Sequence, residues 1–331
     1  MNPSDALDAL PRLRLCQLPT PVQRLERVEQ ALGLANGPEL WIKRDDLTGL
    51  ALGGNKGRKL EFSLAEAKAR DADVILTTGG VQSNHCRQTA VAATALGFDV
   101  HLFLKGDRPD RLTGNLIPSD LCGADLHFIG PIDAFGDTPP MQTFADRLRA
   151  AGRRPYIIPT GASNTTGCMG YVNAAREIRD QGRDLGVTFD RIVCAAGSMG
   201  TQAGLIAGAR LFDLRAKIVG VAVSPMKDAD ARPATAANLA TDVLNRLGAE
   251  GAVASEAVTV LDGYAGEAYA APTEAGAAAL RLLARCAGVF LDPVYTAKAM
   301  AGLLDSVRSG AIGPDERALF IHTGGALALF A

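Results

Sequence analysis

The sequence predicts an α/β protein of two domains, with parallel β-sheets covered by helices on both faces. Short β-branched runs alternate with longer Ala/Leu/Arg-rich segments along most of the chain, the pattern that generates βαβ units and parallel pairing. The chain has 331 residues, which at about 100–200 residues per domain makes room for two. Several of its strand candidates end in Gly-rich turns, and open α/β sheets bind ligands at such strand ends.

In chain order the strand candidates are 40–43 (LWIK), 74–78 (VILTT), 100–104 (VHLFL), 126–129 (LHFI), 156–159 (YIIP), 191–195 (RIVCA), 218–223 (IVGVAV) and 318–321 (ALFI). Each is short and largely apolar and contains β-branched or aromatic residues, and most are bounded by turn-forming residues. Helical patterns occupy 84–96, 143–151, 170–180, 201–211, 231–247, 273–286 and 296–309. Right-handed crossovers then bring the strand ends to one edge. Residues 107–140 are rich in Gly, Pro and Asp and read as surface connections around one short strand. Charge and Pro in GRRP, 152–155, mark a candidate boundary. There is no fixed-period repeat, and the abundant Ala of the last third falls in helical patterns.

Composition narrows the function. Lys and Arg total 34 against 36 Asp and Glu, a net charge of −2, without the basic excess of a nucleic-acid binder. Hydrophobic residues make up 47% and charged residues 21%, enough to bury a core. None of the six Cys (16, 86, 122, 168, 194 and 286) forms a C-x-x-C pair. Zinc-ribbon and thioredoxin-like readings fail, and free thiols in a reducing cytosol are expected. The opening MNPSDALDALPRLRL has no continuous apolar stretch, and no run approaches a membrane span of about 20 residues. A cytoplasmic protein follows, with no metal called for.

The Gly-rich turns carry the most chemistry. They stand in VILTTGGVQSNHCRQTA (74–90), YIIPTGASNTTGCMGY (156–171), RIVCAAGSMGTQAGL (191–205) and LFIHTGGALALF (319–330). Such turns expose backbone N–H groups at helix N-termini and suit anions. The dinucleotide fingerprint fails, because Gly197, Gly200 and Gly204 are spaced G-x-x-G-x-x-x-G. A P-loop fails, because Asn55 stands between Gly54 and Lys56. Residues 196–200 (AGSMG) approach a nucleophile elbow, and Asp292 and His322 follow in hydrolase order, so a serine hydrolase through Ser198 is the reading from another class. A binder without catalysis is a further one, and Lys56 speaks against it. Lys56 lies in GGNKGRKLEF, between Gly-Gly and a helix, where desolvation would make its amine a nucleophile able to form a Schiff base. Plainer roles stand beside the functional ones: Ser83 as an N-cap, His85 and His322 as structural hydrogen-bond partners, Tyr269 and Tyr264 as core packing. His101 and His127 fall in strands and are assigned no role.

GGNKGRKLEF, GGVQSNHCRQTA, AGSMGTQAGL, LDPVYTAKAMAGL and FIHTGG occur here in that order. In this the chain resembles the D-cysteine desulfhydrase/1-aminocyclopropane-1-carboxylate deaminase family, pyridoxal-phosphate enzymes of the tryptophan synthase β type, from about residue 11 to 330. The resemblance implies two open, mostly parallel twisted sheets with pyridoxal 5'-phosphate in the crevice between two domains. The large domain would hold 1–51 and 161–331 and the small domain 52–160, in a homodimer acting on a small amino acid. Lys56 would carry the cofactor and act as general base, and Asn84 would bond the ring's phenolic oxygen. Gly197, Ser198, Met199, Gly200 and Thr201 would cup the phosphate, and Thr323 would also touch the cofactor. Ser83, Asn84 and His85 would hold the substrate carboxylate, while Tyr269, Tyr295 and Thr296 would face the substrate, with Tyr295 protonating the leaving group.

Thr296 and Thr323 resemble the desulfhydrase pattern, where the deaminases have Glu and Leu. The implied reaction is β-elimination of D-cysteine to pyruvate, sulfide and ammonia. L-cysteate sulfo-lyase is the first alternative and 1-aminocyclopropane-1-carboxylate deaminase the second. Gly57, Cys86, Met199, Ala268, Ala270 and Ala297 depart from the family's usual residues, and Met199 must turn its side chain from the phosphate or narrow the pocket.

Overall fold

The computed structural model describes residues 3–131, 138–225 and 231–331. In chain order its elements are α1 (Pro3–Asp8), β1 (Val22–Arg24), α2 (Glu26–Ala31), β2 (Glu39–Lys43), α3 (Lys56–Ala69), β3 (Val74–Gly80), α4 (Asn84–Ala95), β4 (Asp99–Lys105), α5 (Leu116–Leu121), β5 (Asp125–Phe128) and α6 (Pro139–Ala150). There follow β6 (Pro155–Ile158), α7 (Thr165–Leu185), β7 (Arg191–Ala196), α8 (Gly200–Leu211), β8 (Lys217–Ala222), α9 (Ala231–Arg246), β9 (Thr259–Leu261), α10 (Glu274–Ala287), α11 (Thr296–Arg308) and β10 (Arg317–Ile321). They build a six-stranded sheet, β1-β2-β10-β7-β8-β9, and a four-stranded sheet, β5-β4-β3-β6. Every pairing is parallel except β1 with β2.

Both sheets are covered on both faces, and strand alternation shows how. In β10, Ala318 and Phe320 join a core with α10 and α11, while Leu319 and Ile321 pack with Tyr171 of α7 and Leu205 of α8. In the smaller sheet, Ile75 and Leu102 face Leu60 and Ala90 of α3 and α4. Val74, Leu76 and Phe103 face Met141 and Ala145 of α6. All seven residues of β3 are buried, as expected of a strand covered on both faces. Among the described residues, no helix is long and apolar enough to cross a membrane.

Some expectations change. The GRRP stretch at 152–155 is no boundary between sheets. It is the turn into β6, which pairs with β3, so the chain leaves the four-stranded sheet only after Ile158. Residues 107–140 hold α5 as well as a strand, and 132–137 lie outside the described residues. α7 starts five residues before the predicted 170–180 and runs 21 residues. Asn164 caps it by accepting from the Gly167 N–H, and left-handed Gly186 ends it. Its early glycines permit close approach, since a Cβ on Gly170 would lie 2.3 Å from the Arg58 carbonyl oxygen.

A buried ionic network anchors α3. Arg58 donates to both Asp45 carboxylate oxygens, at 2.7 and 2.9 Å, and to Glu177 of α7 at 2.9 Å. Thr20 and Tyr171 donate to the same Asp45 carboxylate, and Lys43 of β2 pairs with Glu177. Burial by itself would raise the Asp45 carboxyl, but the charge and hydrogen bonds of Arg58 outweigh it and hold the pKa below the usual range. Removing one partner from such a cluster strands a buried charge. We expect Asp45→Ala to cost about 3–5 kcal/mol of unfolding free energy, read by urea denaturation. A loss no larger than that of an exposed pair, under about 1 kcal/mol, would contradict this account.

Candidate active site

The carboxyl ends of β3, β7 and β10 meet around one cavity of about 680 Å³ of empty space, part of it open to solvent. Lys56, Ser83, Asn84, His85, Gly197, Ser198, Met199, Thr201, Tyr269, Tyr295 and Thr323 all line it. Gly200 opens α8 immediately behind.

Lys56 is the first residue of α3. It is carried there by a loop that only glycine can make: a Cβ on Gly53 would stand 1.8 Å from the Asp46 carbonyl oxygen. Burial, and next the nearby charge of Lys59, push the Lys56 amine well below its ordinary pKa. A lysine in that condition is both a nucleophile and a base.

The 197–201 turn ends β7 and starts α8. Met199 adopts a left-handed φ of 62°, and its side chain joins an apolar cluster with Ala236, Ala237 and Val258. Met199 thereby turns its bulk toward α9 rather than into the turn. Ser198 Oγ lies 2.7 Å from Ser163 Oγ, and Thr201 Oγ1 accepts from Asn55 Nδ2 at 3.0 Å. Beneath the turn is Lys59, a residue the sequence did not single out. It is fully buried and donates to the Gly161 carbonyl at 3.0 Å and to Ser163 Oγ at 3.3 Å. A Cβ on Gly200 would lie 2.7 Å from its Nζ. Burial pushes Lys59 down to about 8. A helix N-terminus, two hydroxyls and a buried ammonium with no carboxylate partner among the described residues fit a phosphate group.

On the facing side, Ser83 caps α4 by accepting from the Cys86 N–H at 3.2 Å. Asn84 Oδ1 accepts from Asn115 Nδ2 at 3.0 Å. His85 uses both ring nitrogens. Nε2 is 2.8 Å from Thr77 Oγ1, whose own proton goes to the Ile158 carbonyl, and Nδ1 faces Thr89 Oγ1 at 3.4 Å. Nε2 is therefore the protonated nitrogen, and burial, then Lys56 and Lys59, push the ring well below its usual pKa. His85 is a neutral structural partner that also borders the cavity.

Tyr269 and Tyr295 close the remaining wall. Their hydroxyls are 2.5 Å apart, and their rings meet edge to face at 6.3 Å. Burial raises both, Tyr269 to about 12 and Tyr295 well above 10. Tyr269 lies against Gly80, where a Cβ would stand 2.9 Å from its ring. Tyr264 packs against the core instead.

Three sequence readings change here. Thr296 does not line the cavity; it is fully buried and its Oγ1 donates to Asp292 at 2.6 Å. Asp292 accepts the N–H groups of Val294, Tyr295 and Thr296, capping α11. His322 is held by the Phe290 carbonyl and the Gly324 N–H. Ser198, His322 and Asp292 therefore each have other partners, and the hydrolase triad does not form. His101 and His127, left without roles, pair with each other at 3.1 Å on adjacent strands. The six cysteines are free.

The chain matches the family model for pyridoxal-phosphate dependent enzymes over residues 13–324. Among curated relatives, it is 42% identical to a D-cysteine desulfhydrase of Serratia proteamaculans (strain 568) over 346 residues, covering 100% of this chain and 98% of that one. It is 42% identical to a D-cysteine desulfhydrase of Klebsiella pneumoniae over 331 residues, covering 98% and 97%. Among solved structures, the crystal structure of an ACC deaminase homologue superposes with a TM-score of 0.90 at 37% identity, covering 99% of this chain and 96% of that one. This chain belongs to the pyridoxal-phosphate-dependent enzyme family, with pyridoxal phosphate as its cofactor.

Proposed function

We propose that the protein is a D-cysteine desulfhydrase, releasing pyruvate, sulfide and ammonia. One observation carries this reading: a low-pKa lysine and a hydrogen-bonded pair of protonated tyrosines share a single cavity. That is a base and an acid, the two groups that β-elimination needs. The relatives named as D-cysteine desulfhydrases support the substrate. Among the described residues, no carboxylate lines the cavity, which disfavours the deaminase alternative.

Lys56 removes the Cα proton, and the α4 N-terminus with Ser83 and Asn84 holds the substrate carboxylate. Tyr295 gives its proton to the departing sulfur, with Tyr269 as its partner. The 197–201 turn and Lys59 hold the phosphate. When bound, pyridoxal phosphate supplies the electron sink for charge developing at Cα. We further propose a small domain of 52–160, with 1–51 and 161–331 as the large one. We also propose a cytoplasmic homodimer, whose second copy would cover large exposed side chains such as Leu52, Leu121, Phe290 and Phe330.

The deciding experiment offers the purified holoenzyme D-cysteine, L-cysteine, L-cysteate and the cyclopropane amino acid. Pyruvate and sulfide should come from D-cysteine and be lost in Lys56→Ala together with the cofactor's visible band. Sulfite from L-cysteate would replace the substrate and leave the site intact, and turnover by Lys56→Ala would reject the scheme. Tyr295→Phe should retain the band while kcat falls about 10²–10⁴-fold. Because the tyrosine pair must be protonated and burial raises both members, kcat should show no tyrosine-dependent loss up to about pH 10. A fall below that pH that is absent from Tyr295→Phe would contradict the assignment. Lys59→Met should weaken cofactor binding about tenfold or more by equilibrium dialysis, and unchanged affinity would remove Lys59 from the phosphate site.

A further inference from the structure

Arg87 lies in the first turn of α4 and is 1% exposed. Burying a guanidinium ordinarily demands a carboxylate, yet among the described residues none comes within ion-pair distance. Its partners are neutral. Nη1 donates to Asn115 Oδ1 at 2.8 Å and Nη2 to the Gly53 carbonyl at 2.9 Å. Among the described residues, Nε has no acceptor.

The Asn115 contact has a consequence for the cavity. A side-chain amide has one oxygen end and one NH₂ end. With its oxygen held by Arg87, Asn115 must turn its NH₂ toward the Gln82 carbonyl and Asn84 Oδ1, as it does at 2.8 and 3.0 Å. Asn84 is thereby fixed in turn. Its oxygen is committed to Asn115, so the end it keeps for a ligand is the donor end. Arg87 meanwhile grips the carbonyl of Gly53, three residues before Lys56. One guanidinium thus ties the loop that carries the lysine to the turn that carries Asn84.

We propose that Arg87 is a positioning residue: through Asn115 it sets the polarity of the Asn84 amide, so that the cavity presents a donor to the anionic oxygens of cofactor and substrate. This rests on the assignment of Asn84 to the ligand site made above. An arginine that merely filled space would not care which end of Asn84 faced the cavity.

The test exploits that asymmetry in the holoenzyme. Asn115→Asp keeps the acceptor for Arg87, now as a salt bridge, but has no NH₂ for Asn84. The new carboxylate accepts from Asn84 Nδ2 instead, which turns the Asn84 oxygen toward the ligand. Arg87→Gln removes the guanidinium that holds the Asn115 oxygen and leaves that amide oriented by the Gln82 carbonyl alone. The readouts are the pH midpoint of the cofactor's visible band and the affinity for D-alanine, which has no leaving group. Both variants should move the midpoint by about one pH unit, the size expected when a charged oxygen exchanges a donor for an acceptor. Both should weaken D-alanine about tenfold. In an Asn84→Ala background, Asn115→Asp should move neither, because the amide it acts through is gone. An Asn115→Asp enzyme with the wild-type midpoint would overturn the proposal, as would an equal shift in the Asn84→Ala background. Should Arg87→Gln not fold, Asn115→Asp and the double variant still decide. Failure of wild-type enzyme to bind D-alanine would reject the D-amino-acid substrate alone, since the band midpoint is read without substrate.

Discussion

The buried pairing of Arg58 with Asp45 is the constraint on which the site depends. Asp45 sits in the segment after β2, while Arg58 is the third residue of α3. Their hydrogen bonds fix the start of α3 against the six-stranded sheet, and Glu177 extends the grip to α7. Lys56 is two residues from Arg58, on the first turn. A flexible Gly53–Gly54 loop would otherwise leave that lysine with many orientations. A buried ion cluster of this kind contributes less to net stability than its contacts suggest, but it tolerates few alternative geometries, and geometry is what a covalent cofactor site needs.

Around the cavity the electrostatics run the other way. Lys59 and Arg87 are buried with carbonyls, hydroxyls and amides as partners, and Lys56 is held well below its ordinary pKa. Three basic groups thus converge with two helix N-termini, while Asp45 and Glu177 are already committed to Arg58. Such a region is costly in the absence of anions and favourable once a phosphate and a carboxylate arrive. Lys59 and Arg87, buried with neutral partners among the described residues, would therefore give anion binding a direct route to higher stability.

Much of this was legible in the residues, for reasons that differ from part to part. The strands of both sheets were visible because parallel strands buried on both faces are continuous apolar runs, as in VILTT and IVGVAV. β1 and β9 were missed because three-residue strands at sheet edges carry almost no pattern. The anion turns were visible because close backbone approach requires Gly, and each such turn follows a strand. Lys59 and Arg87 were passed over because lysine and arginine are ordinarily solvated, and their burial is decided by helices that meet only in the fold. Thr296 was drawn to the site by the family resemblance of its PVYT motif, in which it follows Tyr295. A helix turns about 100° per residue, so adjacent side chains look in different directions, and Thr296 looks toward Asp292.

The tyrosine pair shows why the substrate is harder to read than the cofactor. Tyr295 stands at the mouth of α11, capped by Asp292, and is as fixed as the helix itself. Tyr269 arrives on an irregular segment between β9 and α10. That segment is held by Lys298 of α11, whose Nζ donates to the Ala265 carbonyl at 2.6 Å, and Ala270 within it takes a left-handed φ of 64°. A β-branched or bulky residue at 270 would resist that conformation, and alanine resists it more than glycine would. Ala270 therefore bears on the path of the segment that carries Tyr269 to the Tyr295 hydroxyl. In the proposed reaction the acid for the leaving group would be built from a rigid helix end and a strained loop, so leaving-group preference could drift in the loop while Lys56, the 197–201 turn and the α4 N-terminus kept the same chemistry.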